Sequence, residues 1–156
     1  MNPHYVTAMT QPSFAAVINL LRAHALIEER LSRGLSPIHG LALNEALLLM
    51  HLERAPGHRL TRIDLARRLH LNPSTVTRMC LPLEKTGFVT RESDPRDARL
   101  AYVVLTDTGR TVIGEVRTTL DKSSEEVFRD RWTEAELASL NSLVGRLTAA
   151  EPGDLV

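Results

Sequence analysis

The stretch that most constrains this chain runs from Thr61 to Leu105, where a helical hydrophobic pattern breaks, resumes and then changes period. Ile63, Leu65, Ala66 and Leu69 recur at helical spacing behind Thr61, a good N-cap residue with Asp64 in the reciprocal capping position. His70, Leu71 and Asn72 interrupt the pattern, and His70 is of a type that tolerates positive φ. Asn72 predicts a second N-cap, and Pro73 stands at the first helical position, where its missing N–H costs nothing. Val76, Met79, Cys80 and Leu83 form the inward face of the helix that follows, and Pro82 predicts a bend or early loosening within it. Two short helices joined by a tight turn predict a helix-turn-helix. After Gly87 the period becomes alternating, in residues 88–92 and again in residues 99–105, with the polar turn 93–98 between them. A hairpin directly behind a helix-turn-helix is a wing.

The flanks are helical. From Ser13, Val17, Leu20, His24, Ile27 and Leu31 recur along one face, and Ser32, Gly34 and Pro37 are expected to end that helix. A second helix is predicted over residues 43–53, followed by a turn at Ala55-Pro56-Gly57-His58. Thr106 caps a long helix through Val112, Ile113, Val116, Leu120 and Val127, and Thr133 with Glu136 forms a capping box for a last helix carrying Leu137, Leu140 and Leu143. These terminal helices have more apolar face than a winged helix of about 60 residues can cover, which predicts a symmetric homodimer with Ile27 and Leu140 in its interface. The expected fold is therefore mostly α with a small β-hairpin wing: a winged helix-turn-helix flanked by N- and C-terminal dimerisation helices. The expected divisions are a tail and dimerisation helix at 1–40, a DNA-binding lobe at 41–106 and completing helices at 107–156.

Charge points the same way once its distribution is read. The 156 residues carry 19 basic and 19 acidic side chains, a net charge of zero. Residues 54–110, however, hold eleven basic against six acidic side chains, while both flanks are acidic. A basic middle between acidic ends suggests a polyanion-binding module. At 43% apolar and 24% charged the composition is that of a globular protein. No apolar run approaches the roughly 20 residues of a membrane span, and residues 1–12 lack a signal-peptide pattern, so a cytoplasmic location is expected. One cysteine, Cys80, rules out an internal disulfide and a multi-cysteine zinc site.

The text LTRIDLARRLHLNPSTVTRMCLPLEKTGFVTRESDPRDARLAYVVLTDTGR resembles the MarR family of bacterial transcription regulators. It joins a Leu-Ala helix, a Ser-Thr-Val-Thr-Arg recognition helix, a Leu-Glu-Lys-x-Gly-Phe-Val exit, an Asp-Pro-Arg-Asp-x-Arg wing and a Leu-Thr-x-x-Gly start to the next helix, over about residues 41–115. The resemblance implies a dimeric winged helix-turn-helix that binds double-stranded DNA, usually as a repressor, and often responds to a small aromatic effector. Where that family often carries Gln or Trp in the second helix, this chain has Asn44 and Glu45.

Ser74, Thr75, Thr77 and Arg78 occupy the N-terminal part of the recognition helix, the part that enters a major groove. Ser and Thr suit phosphates and several base edges, and Arg78 can bind guanine bidentately or a phosphate. Arg62, near the start of the preceding helix, is expected at a phosphate. In the wing, Asp97 is expected to orient Arg99 toward a minor groove, with Arg96 at a phosphate nearer the tip. His24, Asn44 and His51 are the further candidates, as polar handles of a ligand cavity between the dimer helices and the lobe; for His24 the alternative is a satisfied core histidine. Cys80 falls on the inward face and reads as a structural thiol. The six histidines include no i, i+4 metal pair, and no Gly-rich phosphate loop, isolated carboxylate pair or nucleophile motif is present, so no metal, cofactor or enzymatic activity is expected. Two alternatives to a ligand-responsive DNA-binding repressor are a winged-helix protein-interaction module, favoured by the zero net charge, and a Cys80-based oxidation sensor.

Overall fold

The computed structural model describes residues 11–97 and 101–148. The elements in chain order are α1 (Pro12–His39), α2 (Leu43–Arg54), a 3₁₀ turn at Pro56–His58, β1 (Arg59–Thr61), α3 (Arg62–Leu69), α4 (Pro73–Lys85), β2 (Val89–Ser93), β3 (Ala101–Leu105), α5 (Asp107–Phe128) and α6 (Glu134–Thr148). A mostly helical chain with a small antiparallel sheet is the winged-helix arrangement anticipated above.

Three boundaries depart from the sequence reading. The first helix does not end at Ser32, Gly34 or Pro37 but runs to His39, where Gly40 adopts φ 65° and ψ 21° and donates its N–H to the Ser36 carbonyl at 3.0 Å. Pro37 lies in the closing turns and lacks only the N–H that would bond the Arg33 carbonyl, while the helix runs on past it to His39. Gly34 lies at the close approach to α5: a Cβ there would lie 2.7 Å from Ser123 Oγ, so that side chain would have to turn away. Strand β1 is a third strand where only a turn was expected. It pairs antiparallel with β3 (Arg59↔Val104, Thr61↔Tyr102), and the sheet order β1-β3-β2 puts β3 in the centre. Finally, α4 passes through Pro82 to Lys85, because Pro82 falls in its closing turn, rather than loosening early.

The core is one cluster. Leu48, Leu49 and Leu52 of α2 meet Leu65 of α3, Val76, Cys80 and Leu83 of α4, and Val103 and Leu105 of β3. It also takes in Leu35 from α1 and Ile113 and Val116 from α5, so it crosses both expected divisions of the chain. Thr106 caps α5 by accepting the Gly109 N–H at 3.0 Å. Thr133 and Glu136 form the expected reciprocal box at α6, with Thr133 N–H to Glu136 Oε2 at 2.8 Å and Glu136 N–H to Thr133 Oγ1 at 3.3 Å. Among the described residues no helix is long and apolar enough to cross a membrane.

Among the described residues, His51 is the one buried polar side chain. Burial, aided by the positive charges of Arg68 and Arg54, lowers its pKa from 6.5 to about 4. The unfolded chain therefore takes up a proton as pH falls through 6.5, while the folded chain stays neutral there until about 4. Stability from this group is complete above the unfolded value, declines between the two, and falls by about 3 kcal/mol in all. Urea unfolding of wild type and His51→Leu at pH 7, 5 and 4 should show the difference between them shifting by about that amount toward the variant, with no further change below pH 4. A pH-independent difference would contradict the neutral buried imidazole.

Candidate nucleic-acid interface

The helix-turn-helix is set by two stops of the same kind. At the end of α3, His70 takes φ 52° and ψ 38°, Leu71 N–H reaches the Ala66 carbonyl at 2.9 Å, and His70 N–H reaches Arg67 at 3.3 Å. These are the paired bonds of a Schellman stop, here with His in the left-handed position. At the end of α4, Gly87 (φ 76°) fills that position, with Phe88 N–H to Leu83 O at 3.0 Å and Gly87 N–H to Glu84 O at 3.1 Å. Between them α4 starts at Pro73. Asn72 occupies the N-cap position, but its side chain makes no capping bond; its carbonyl accepts Thr75 N–H at 2.9 Å and Val76 N–H at 3.1 Å. At α3 the Thr61 hydroxyl accepts the Asp64 N–H at 3.1 Å and donates to the Asp64 carboxylate at 2.7 Å, so that carboxylate binds the hydroxyl rather than the Thr61 N–H.

The four recognition-helix candidates share the first turns of α4, whose opening turn contains no acidic residue. Ser74 and Arg78 are exposed, Thr75 and Thr77 half-buried. Thr77 Oγ1 donates to the Pro73 carbonyl at 2.9 Å, which directs its proton back along the helix. Arg78 donates to Thr75 Oγ1 at 3.5 Å, a long bond that biases the guanidinium toward the helix start. Arg62, expected at a phosphate, is instead turned onto α4. Its guanidinium lies 3.6 Å from Glu84 Oε1, and its Nε is buried without a hydrogen-bond partner, as is that Glu84 oxygen. A cation committed to a partly buried ion pair between α3 and α4 is a strut of the lobe, so Arg62 leaves the set of candidate contacts.

The wing is organised by a residue the sequence reading passed over. Asp94 Oδ1 accepts the backbone N–H of Arg96 at 2.7 Å and of Asp97 at 3.3 Å, and Tyr102 donates its hydroxyl to Asp94 Oδ2 at 3.4 Å. The Arg96 N–H bond is the main cause of a lowered Asp94 pKa. The Tyr102 ring in turn lies under the Arg59 guanidinium, 4.6 Å from its centroid, and Arg59 pairs with Glu92 at 3.6 Å. The Asp94-Pro-x-Asp text was legible as an Asx turn; Arg59 and Tyr102 meet only through the β1–β3 register. Arg96 and Asp97 are exposed at the tip. Arg99 lies outside the described residues.

Ion pairing sorts the basic middle. Arg59, Arg62, Arg67 and Arg110 are matched to Glu92, Glu84, Asp64 and Asp107. Among the described residues, Arg78, Lys85, Arg91 and Arg96 form no ion pair and are exposed. Arg91, on β2, is the cation that composition alone could not single out.

The three candidate ligand residues are not brought together. His24 is exposed on α1, 3.9 Å from Glu28, and so is neither a core histidine nor part of a cavity within this chain. Asn44 is exposed in the first turn of α2, and His51 is buried in the core. Open depressions at the α5–α6 corner, lined by Phe128, Trp132, Leu140 and Leu143 among others, include none of them. No group of three or more metal-ligating side chains occurs among the described residues. Cys80 is fully buried and burial pushes its thiol up, against the opposing influence of Arg62. A thiol reagent should therefore leave Cys80 unmodified in the native protein and react only as the chain unfolds; rapid native labelling would restore the oxidation-sensor alternative.

A family model of the MarR family matches residues 41–100, the whole helix-turn-helix and most of the wing. Over that stretch the chain is similar to the MarR family. The HTH-type transcriptional regulators YcgE and YkoM of Bacillus subtilis are 32% and 34% identical to it, over 56% and 61% of this chain and 56% and 60% of their own lengths. The chain thus spans little more than half the length of these relatives. The crystal structure of Sco3205, a MarR family regulator from Streptomyces coelicolor in complex with DNA, superposes with a TM-score of 0.77 at 28% identity, covering 86% of this chain and 84% of that one. BpsR of Bordetella bronchiseptica, whose DNA binding is regulated by 6-hydroxynicotinic acid, shares the fold at a TM-score of 0.75 and 17% identity, covering 96% and 100% of the two chains.

Proposed function

We propose that this chain is a MarR-type, sequence-specific, DNA-binding transcriptional regulator that acts as a homodimer. The carrying observation is the start of α4: an acid-free first turn that exposes Ser74, with Arg78 exposed one turn on, beside a wing whose Arg91 and Arg96 form no ion pair among the described residues. A helix N-terminus attracts phosphate, and the cations left unmatched within the lobe are those a polyanion can release counterions by contacting. Zero net charge does not oppose this reading, since most acids sit on the flanks and four of the six in residues 54–110 are paired with Arg59, Arg62, Arg67 and Arg110.

In this reading Ser74, Thr75, Thr77 and Arg78 face a major groove. Arg96 meets phosphate, and Arg99, oriented by Asp97, reaches the adjacent minor groove. The lobe at 41–106 reads DNA, and helices from 1–40 and 107–156 pair two copies. Two-fold symmetry then sets half-sites about 10 bp apart. A small aromatic effector is the remaining part of the proposal and rests on the resemblance to the MarR family; a melting-temperature screen against aromatic acids tests it separately. Selection of genomic fragments by the purified protein at two salt concentrations tests the function: a few enriched, inverted-repeat sites with salt-dependent affinity are expected. Enrichment of none, at either salt, would favour the protein-interaction alternative. On a selected site, Arg78→Ala should weaken specific binding by about 1–3 kcal/mol and relax preference at one position per half-site, while Arg96→Ala weakens all sequences alike and lowers the salt slope by about one.

A further inference from the structure

Helix α5 belongs to two neighbourhoods. Its first half is embedded in the winged lobe, where Ile113 and Val116 are fully buried. Its second half lies against α1, with Ser123 beside the bare Cα of Gly34. At the change-over stand two polar ties within one turn of α5. Arg117 donates through Nε, at 3.2 Å, and through its terminal nitrogen to Glu53 at the end of α2. Thr119, two residues on, meets His39 Nε2 at 2.8 Å at the end of α1. The first tie joins α5 to the lobe and the second joins α5 to the flanking helix.

We infer that the Glu53–Arg117 ion pair is the positioning contact that sets the angle of α5 on the winged lobe, and so selects which half-site spacing the dimer accepts. The inference rests on the dimeric DNA-binding reading above. Both side chains are about one-third exposed, with side-chain accessibilities of 34% for Arg117 and 29% for Glu53. The pair is thus sheltered enough to be directional, yet open enough to exchange with water. Two guanidinium N–H groups on one carboxylate oxygen resist rotation about α5 as a single contact does not. Geometry amplifies the effect. From Arg117 to Phe128 the helix extends about 16 Å, so a pivot of about 10° displaces its far end by about 3 Å, close to one base-pair rise of about 3.4 Å. The surrounding core does not depend on the pair, because the buried contacts of Ile113 and Val116 lie on the lobe side of it.

Two measurements separate this inference from the reading it rests on. In the first, Ser74→Cys carries a spin label on each copy, buried Cys80 being left as it is, and the label-to-label distance is recorded without DNA. Glu53→Gln and Arg117→Met should each broaden or shift the distribution by several ångström. Arg117→Lys should do so partly, and the charge-swapped Glu53→Arg with Arg117→Glu should restore it. In the second, affinity is measured on inverted repeats whose centre is lengthened or shortened by one and two base pairs. Wild type should lose about tenfold per base pair off its preferred spacing, and the broken-pair variants less than threefold, with thermal melting and dimer mass unchanged. Wild-type distances and an unchanged spacing profile in both single variants would overturn the inference while leaving DNA binding intact. Wild type binding no DNA would sink the functional reading, and the label distances would still decide the role of the pair. A wild type that gives no label-to-label distance because it is monomeric would overturn both.

Discussion

Gly109→Ala is expected to cost about 3 kcal/mol or more of folding stability, lowering the melting temperature by about 10 °C. The position is the third residue of α5, where alanine would ordinarily be the better helix former. A Cβ there would sit 2.1 Å from the Phe88 carbonyl oxygen and 2.6 Å from Leu105 Cδ1. Neither can yield cheaply. The Phe88 oxygen is held by the Thr106 N–H at 3.1 Å, and Leu105 is buried at the end of the central strand. The substitution therefore forces apart the start of α5, the exit of α4 and the root of the wing together. Gly114, five residues along the same helix, has open space where a Cβ would go, with nothing within 4 Å, so Gly114→Ala should instead stabilise by about 0.5–1 kcal/mol. Opposite signs for the two substitutions in a denaturant titration are the expected result; equal effects would mean that α5 does not enter the lobe at this angle.

Leu143→Asp on α6 and Leu21→Asp on α1 should abolish dimerisation at micromolar concentration and reduce operator affinity by about a hundredfold or more, the advantage of engaging two half-sites at once. Leu143 is 60% and Leu21 61% exposed in the single chain, so aspartate at either costs the protomer fold little. In a dimer that covers these faces, the same carboxylate would be desolvated without a partner. Phe14, Val17, Leu20 and Leu26 on α1 and Val144 and Leu147 on α6 are exposed with them, an apolar area larger than isolated surface residues account for. Ile27 and Leu140, the sequence-based choices, are half-buried within the chain, and their loss would mix folding with association. Sedimentation showing dimers for both variants would remove the paired-helix arrangement.

Local chemistry carried most of the lobe. Thr61, His70, Pro73, Gly87, Thr106 and the Thr133–Glu136 box each act within a few residues of themselves, through a cap, a left-handed turn or a missing donor. Their meaning is therefore written in the order of the text, and the structure places the helix and strand ends beside them. The candidate reading face of α4 was legible for the same reason, since one helical period separates Ser74 from Arg78. What was not legible depends on partners distant along the chain. Pro37 and Gly34 read as stops, yet α1 continues through both and lays Gly34 against Ser123 of α5. Three residues of β1 are too few for alternation to show, and only β3 makes them a strand. Arg62 looked like a phosphate ligand until Glu84 took it, and His24, read as a ligand handle or a core histidine, is exposed among the described residues. Capping and periodicity are short-range and survive in sequence; which cation is neutralised, and which apolar face finds cover, is settled by contacts across the fold.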